Sequence, residues 1–209
     1  MEARSHSAAR LAGFSGLACA LLFGVGSAIW GLDMPEDGTA VAEVLDFYDD
    51  TADRIVVGAT LSLLAIAAFL PFAAALRRVL ADADGDDVLA TTAFAGGLLA
   101  MAAGIGAETI NLSAALRAQD GELSAELAQS LFEIPQMLGA AATGVGLGVF
   151  ALATATVALR TGLVLPRWLA IVTLVIGVAL LTPLGHVNWV AGASLVLLTG
   201  GIGAVLIRT

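Results

Sequence analysis

Apolar residues fall in long unbroken runs along this chain, separated by short polar segments. The runs at 11–32, 55–76, 88–112, 136–160, 168–184 and 190–207 are each long enough, or nearly so, to cross a bilayer as a helix. The pattern predicts an all-α, polytopic membrane bundle of six transmembrane helices in one unit spanning 1–209. No stretch outside the runs is long enough to bury a core of its own. A signal peptide is the rival reading of the first run. The run exceeds an ordinary signal core, and Ala28, Ile29, Trp30 and Gly31 make a poor cleavage site, so a retained first span is expected.

The polar segments carry their own periodicities. Within 33–53, Val41, Val44, Leu45 and Tyr48 fall at helical spacing while Glu43, Asp46 and Asp50 point elsewhere. This predicts a short amphipathic outer helix, lying on the bilayer or across the bundle mouth. The simplest reading of its carboxylates is a solvated face. Pro71 is placed to kink the second span. Residues 81–87 form an acidic turn without the length or terminal glutamate of a calcium loop. Ser124 has the position of an N-cap, with Glu126 in the first turn, and from there one helix should reach Arg160. Its apolar stripe is Leu127, Leu131, Ile134 and Leu138. A second stripe of Glu126, Gln129, Glu133, Gln136, Ala140, Thr143 and Gly144 should face other helices.

Charge sets an orientation. All nine basic residues are arginine. Arg4, Arg10, Arg77, Arg78, Arg160, Arg167 and Arg208 lie on one side of the expected bundle, and only Arg54 and Arg117 on the other. By the positive-inside rule both termini are then cytoplasmic, and the protein belongs to a prokaryotic plasma membrane. The three tryptophans fall at the expected interfaces. The bilayer is the expected partner, with a homo-oligomer or a second membrane protein as further candidates.

Composition excludes several chemistries. The absence of lysine removes Schiff-base catalysis. A net charge of −9 argues against nucleic acid and fits either a halophilic host or an acidic outer vestibule. A single cysteine, Cys19, cannot form a disulfide relay within the chain, and two histidines are too few for multiple bis-histidine haems. No cofactor is expected.

The candidate chemistry centres on Glu108. A charge within a span is costly and usually faces the bundle with a partner. One and two turns back lie Gly104, Met101 and Gly97, a narrow face that admits a neighbouring helix, and Asn111 continues it outward. Glu108 is 20 residues beyond Val88, about 30 Å at helical rise, which puts it near the outer boundary. Glu133 and Gln136 enter from outside on the fourth span, and His186 and Asn188 occupy the last outer turn. Glu108, Asn111, Glu133, Gln136, His186 and Asn188 are therefore the expected ligand or ion site. Two carboxylates and an imidazole suit a divalent metal, and equally a proton or cation entry point. No serine has a plausible His and acid partner, and no enzyme class is assigned. The leading expectation is transport or permeation of a cation, proton or small solute. The alternative is a non-catalytic membrane subunit acting through glycine-lined faces.

At 146–178 the chain reads G-L-G-V-F-A-L-A-T-A-T-V-A-L-R-T-G-L-V-L-P-R-W-L-A-I-V-T-L-V-I-G-V. This resembles a broad set of uncharacterised prokaryotic six-span membrane proteins, common in actinobacteria, in which a helix ending L-R-[ST]-G is followed by L-P-R-x-L-G. Arg160, Thr161, Gly162, Leu165, Pro166, Arg167 and Leu169 match. An extra residue between Gly162 and Leu165, and Ala170 in place of glycine, depart from it. The resemblance implies a membrane bundle and no catalytic residues. Physically the motif is a hairpin, with Pro166 opening the second helix.

Overall fold

The computed structural model describes residues 2–35, 38–85, 87–183 and 188–208, and within them the chain is helical with no strand. The helices are α1 (Glu2–Gly31), α2 (Val41–Asp84), α3 (Asp87–Gln119), α4 (Ala125–Met137), α5 (Gly144–Thr161), α6 (Arg167–Leu180) and α7 (Asn188–Leu206), with a π-helical turn (Leu138–Thr143) between α4 and α5. Five helical stretches are long and apolar enough to cross a membrane, counting α4 through α5 as one rod. α6 is apolar but has only 14 residues, about 21 Å of helix against a hydrocarbon core of about 30 Å.

Successive long helices run antiparallel, and glycines set how closely they cross. A methyl group built on Gly26 would lie 2.7 Å from the Gly58 carbonyl oxygen, so α1 and α2 touch backbone to backbone. Gly96 and Gly146 bring α3 and α5 together in the same way, with a Gly146 methyl 2.7 Å from the Gly96 oxygen. Gly203 of α7 meets the Gly13 oxygen of α1 at 2.8 Å. Such small-residue crossings replace the hydrophobic drive that lipid does not supply. Between them, Phe69, Phe72 and Phe150 form a buried aromatic cluster, with ring centroids 5.5 to 6.1 Å apart, at the centre of the main core.

The Arg-rich hairpins form as their end signals dictate. α2 stops at Gly85, which takes a left-handed conformation (φ 70°), and α5 stops at Gly162 (φ 67°). Pro166 caps α6, where its missing N–H costs nothing. Arg77 reaches across the first hairpin to Asp87 and Thr91.

Three expectations change. The amphipathic outer segment is not a separate helix. It is the first part of the 44-residue α2, about 66 Å long, because nothing between Tyr48 and Ile55 interrupts the backbone. Its Val44, Phe47, Tyr48 and Ala52 pack with Ala114, Ala115, Ala128 and Phe132 into a second apolar cluster, which joins α2, α3 and α4 beyond the main core. The stripe that α4 buries is Ala128, Phe132 and Pro135; the Leu127, Leu131 and Ile134 face is only partly covered, and Ile134 is exposed. Trp30 turns inward onto Gly58 and is 8% exposed, whereas Trp168 and Trp189 are outward-facing.

The rod from α4 to α5 starts as expected, with Ser124 accepting from the Leu127 N–H at 3.3 Å. Pro135 cannot donate to the Leu131 carbonyl one turn back. The Tyr48 hydroxyl points at that carbonyl from 3.4 Å instead. The π turn follows immediately, widening the helix where it lines a cavity. Pro71 leaves α2 helical throughout.

Candidate functional site

A cavity of about 720 Å³ opens between α1, α3, the π turn and α7, at the end of the bundle where α1 finishes and α7 begins. That volume lies within the roughly 300–1,000 Å³ of small-molecule sites. Its walls are mostly apolar: Phe23 and Trp30 from α1, Met101 from α3, and Val196 from α7. Glycines widen it, with Gly24, Gly104, Gly139 and Gly192 each removing a side chain from the lining.

One carboxyl group enters this space. Glu108 lines the cavity, is 9% exposed, and its Oε2 has no hydrogen-bond partner among the described residues. Its polar neighbours are Ser62 on α2 and Asn111 one turn along α3. The Ser62 hydroxyl is wholly buried and likewise lacks a geometrically sound bond, as does the Trp30 indole N–H. These three atoms are fully buried, and leaving them without partners is costly to the fold. Ser62 lies about 10 Å along α2 beyond Ile55, so the carboxyl sits beside the apolar run of α2 rather than at its end.

The other expected residues divide. Asn111 and Gln136 line the cavity with Glu108, and Gln136 Nε2 lies 3.2 Å from Met34 Sδ. Glu133 does not join them. It is exposed on α4, 100° around the helix from the buried Phe132, and its carboxylate accepts from Gln129 Nε2 at 2.5 Å. His186 lies outside the described residues. Asn188 begins α7, at the cavity's end of the bundle. Among the described residues no group of three or more His, Cys, Asp or Glu is placed to hold a metal ion.

Sequence reasoning missed Ser27, Trp30, Ser62 and Thr143. Ser62 had no sequence signal: that Ile66, one turn beyond it, packs on Gly104 is visible only in the structure, and it turns the same α2 stripe toward the Glu108 side of α3. Thr143 had one: it stands in the stripe with Gln136 that was expected to face other helices, and both line the cavity. The Thr143 hydroxyl lies 3.4 Å from the Leu138 carbonyl oxygen and 3.5 Å from that of Ala100.

No protein-family model, curated protein or solved structure matches the chain. The likeness of 146–178 to six-span membrane proteins therefore rests on its residues alone, and the site is read from its own geometry.

Proposed function

We propose that this chain is a six-span protein of a prokaryotic plasma membrane, with both termini cytoplasmic, that admits a cation, proton or small solute from the outer side into the Glu108 cavity. The observation that carries this reading is that the one charged side chain among the described lining residues of a ligand-sized space is a buried carboxyl. The helix order supports the topology. The first turns of α1 and the last of α7 lie together, and α6, though short, runs antiparallel to α5 with Gly177 against Leu152 and Gly148 against Leu181. Seven arginines then gather at one end, the cytoplasmic one by charge bias. Glu108 is the essential group, with Asn111 and Gln136 as polar auxiliaries. Asn188, at the start of α7, belongs to the outer approach.

The competing reading, a subunit that binds a partner through glycine-lined faces, loses its main support. The glycines at 13, 26, 58, 96, 146 and 203 are occupied by crossings inside the chain itself.

The test is thermal stability of the purified protein in detergent across pH and a panel of inorganic cations and small solutes, for wild type and Glu108→Gln. A ligand present at a hundred times its dissociation constant adds about 2.7 kcal/mol. Stabilisation of wild type but not of the variant supports the reading. A panel that shifts neither protein, with no organic cation bound either, refutes it.

A further inference from the structure

We propose that the ligand of this cavity is a lipophilic organic monocation, an ammonium- or phosphonium-type centre on an apolar body, held by Glu108 as its counter-ion. The inference rests on reading the cavity as a solute site and adds the chemical class. Three independent observations carry it.

The first is the charge census of the wall. Glu108 is the one charged residue among the described lining residues; no arginine and no second carboxyl faces it. Its neighbours from the packed elements are neutral: Ser62 from α2, Asn111 from α3, Gln136 from α4 and Thr143 from the π turn. One negative group in an otherwise uncharged wall matches one positive charge. An anion would meet repulsion, and a neutral apolar guest would gain nothing from the carboxylate.

The second is the lining. A bare calcium or magnesium ion needs six or more oxygen ligands. Here a carboxyl and two amides stand among Phe23, Met101, Val196 and two tryptophans, which cover an apolar body instead. Trp30 brings its ring to the same wall, a favourable surface for an organic cation.

The third is the approach. Among the described residues, ten acidic ones stand in 33–53 and 120–133, the segments at the cavity end of the bundle, against only Arg54 and Arg117. A field of that sign concentrates cations at the entrance.

A carboxylate in this wall is neutralised by a proton or by the bound cation, so the two compete. Where Glu108 carries a proton, each monocation that loads displaces that proton, and charge balances with no further reactant.

The test measures equilibrium binding of tetraphenylphosphonium to the full chain in detergent, with protein-free micelles as the blank. Triphenylphosphine oxide serves as the neutral aromatic comparison. Wild type should bind the cation saturably, one per chain, and the oxide at least tenfold more weakly. Cation affinity should fall as pH is lowered, by up to about tenfold per unit. Glu108→Gln should weaken the cation by about thirtyfold or more and leave the oxide unchanged. If the variant does not fold, the wild-type cation-to-oxide ratio and its pH slope decide alone. Equal binding of cation and oxide, independent of pH, overturns the cation class while sparing the solute cavity. Absence of tetraphenylphosphonium binding by the folded protein overturns the class as well. The wider reading then stands or falls on the thermal-shift panel, which contains no organic cation.

Discussion

Substituting Gly146 by alanine should unlock the α3–α5 crossing that supports the cavity floor. The added methyl would lie 2.5 Å from the Ala100 nitrogen, 2.7 Å from the Gly96 oxygen and 2.8 Å from the Ala100 Cα. Comfortable carbon contacts need about 3.5–4.0 Å. All three neighbours are backbone atoms, so no side chain can rotate away and the helices must part by about 1 Å. A gap of that size forfeits a quarter to a half of each dispersion contact it opens. Overpacking costs about 1–3 kcal/mol, and rigid neighbours place this site at the upper end. Alanine returns about 0.5–1 kcal/mol of helix propensity, leaving a net loss of about 2 kcal/mol. For a chain of this size that is a fall in Tm of about 4–8 °C, readable by tryptophan fluorescence in detergent. Gly106→Ala is the matched control. Its methyl meets only Leu138 Cδ1 at 3.6 Å, an ordinary contact, so Tm should hold or rise. A Gly146→Ala protein melting with wild type, or a Gly106→Ala protein falling equally, would refute the crossing.

The remaining predictions concern the outer cap, the site and the topology. Glu133→Gln should leave tetraphenylphosphonium affinity within about twofold of wild type, because the side chain is exposed and bonded to Gln129; a loss matching that of Glu108→Gln would bring Glu133 back into the site. Phe132→Ala removes a ring set edge-on to Phe47 in the second cluster, at a cost of about 3 kcal/mol. Hydrogen exchange over 125–134 should quicken by about a hundredfold while α5 keeps its protection, and equal loss in both helices would contradict a separable cap. On a Cys19→Ser background, an impermeant maleimide should label Glu122→Cys on intact cells and Asp84→Cys only after permeabilisation. Labelling of both from one side would contradict the antiparallel course and orientation of α3.

The spans were legible because apolar run length and end signals are local properties. Gly85, Ser124, Gly162 and Pro166 mark boundaries that follow from their own backbone chemistry. The length of α2 was not. Its Asp49, Asp50, Asp53 and Arg54 read as a membrane boundary, which fixes where lipid ends and says nothing about where a helix ends. On α4 a polar stripe runs through Glu126, Gln129 and Glu133, and it was extended in phase to Thr143. The first turns instead bury Ala128 and Phe132 against α2, and only from Gln136 to Thr143 does the stripe face the bundle and line the cavity. Glu108 was found from its cost in a span, and Asn111 from helical spacing. Ser62 and Trp30 come from other helices, and only the Gly26–Gly58 contact shows that they belong beside it.

The central claim is that Glu108 presents a buried carboxyl to a ligand-sized cavity between apolar helices. Its most direct test is labelling of the native protein with dicyclohexylcarbodiimide, a lipophilic reagent for carboxyl groups in apolar surroundings, followed by peptide mass spectrometry. The account predicts modification at Glu108, slowed by tetraphenylphosphonium and absent from the exposed Glu126 and Glu133. Modification of those surface carboxylates with Glu108 untouched would contradict it.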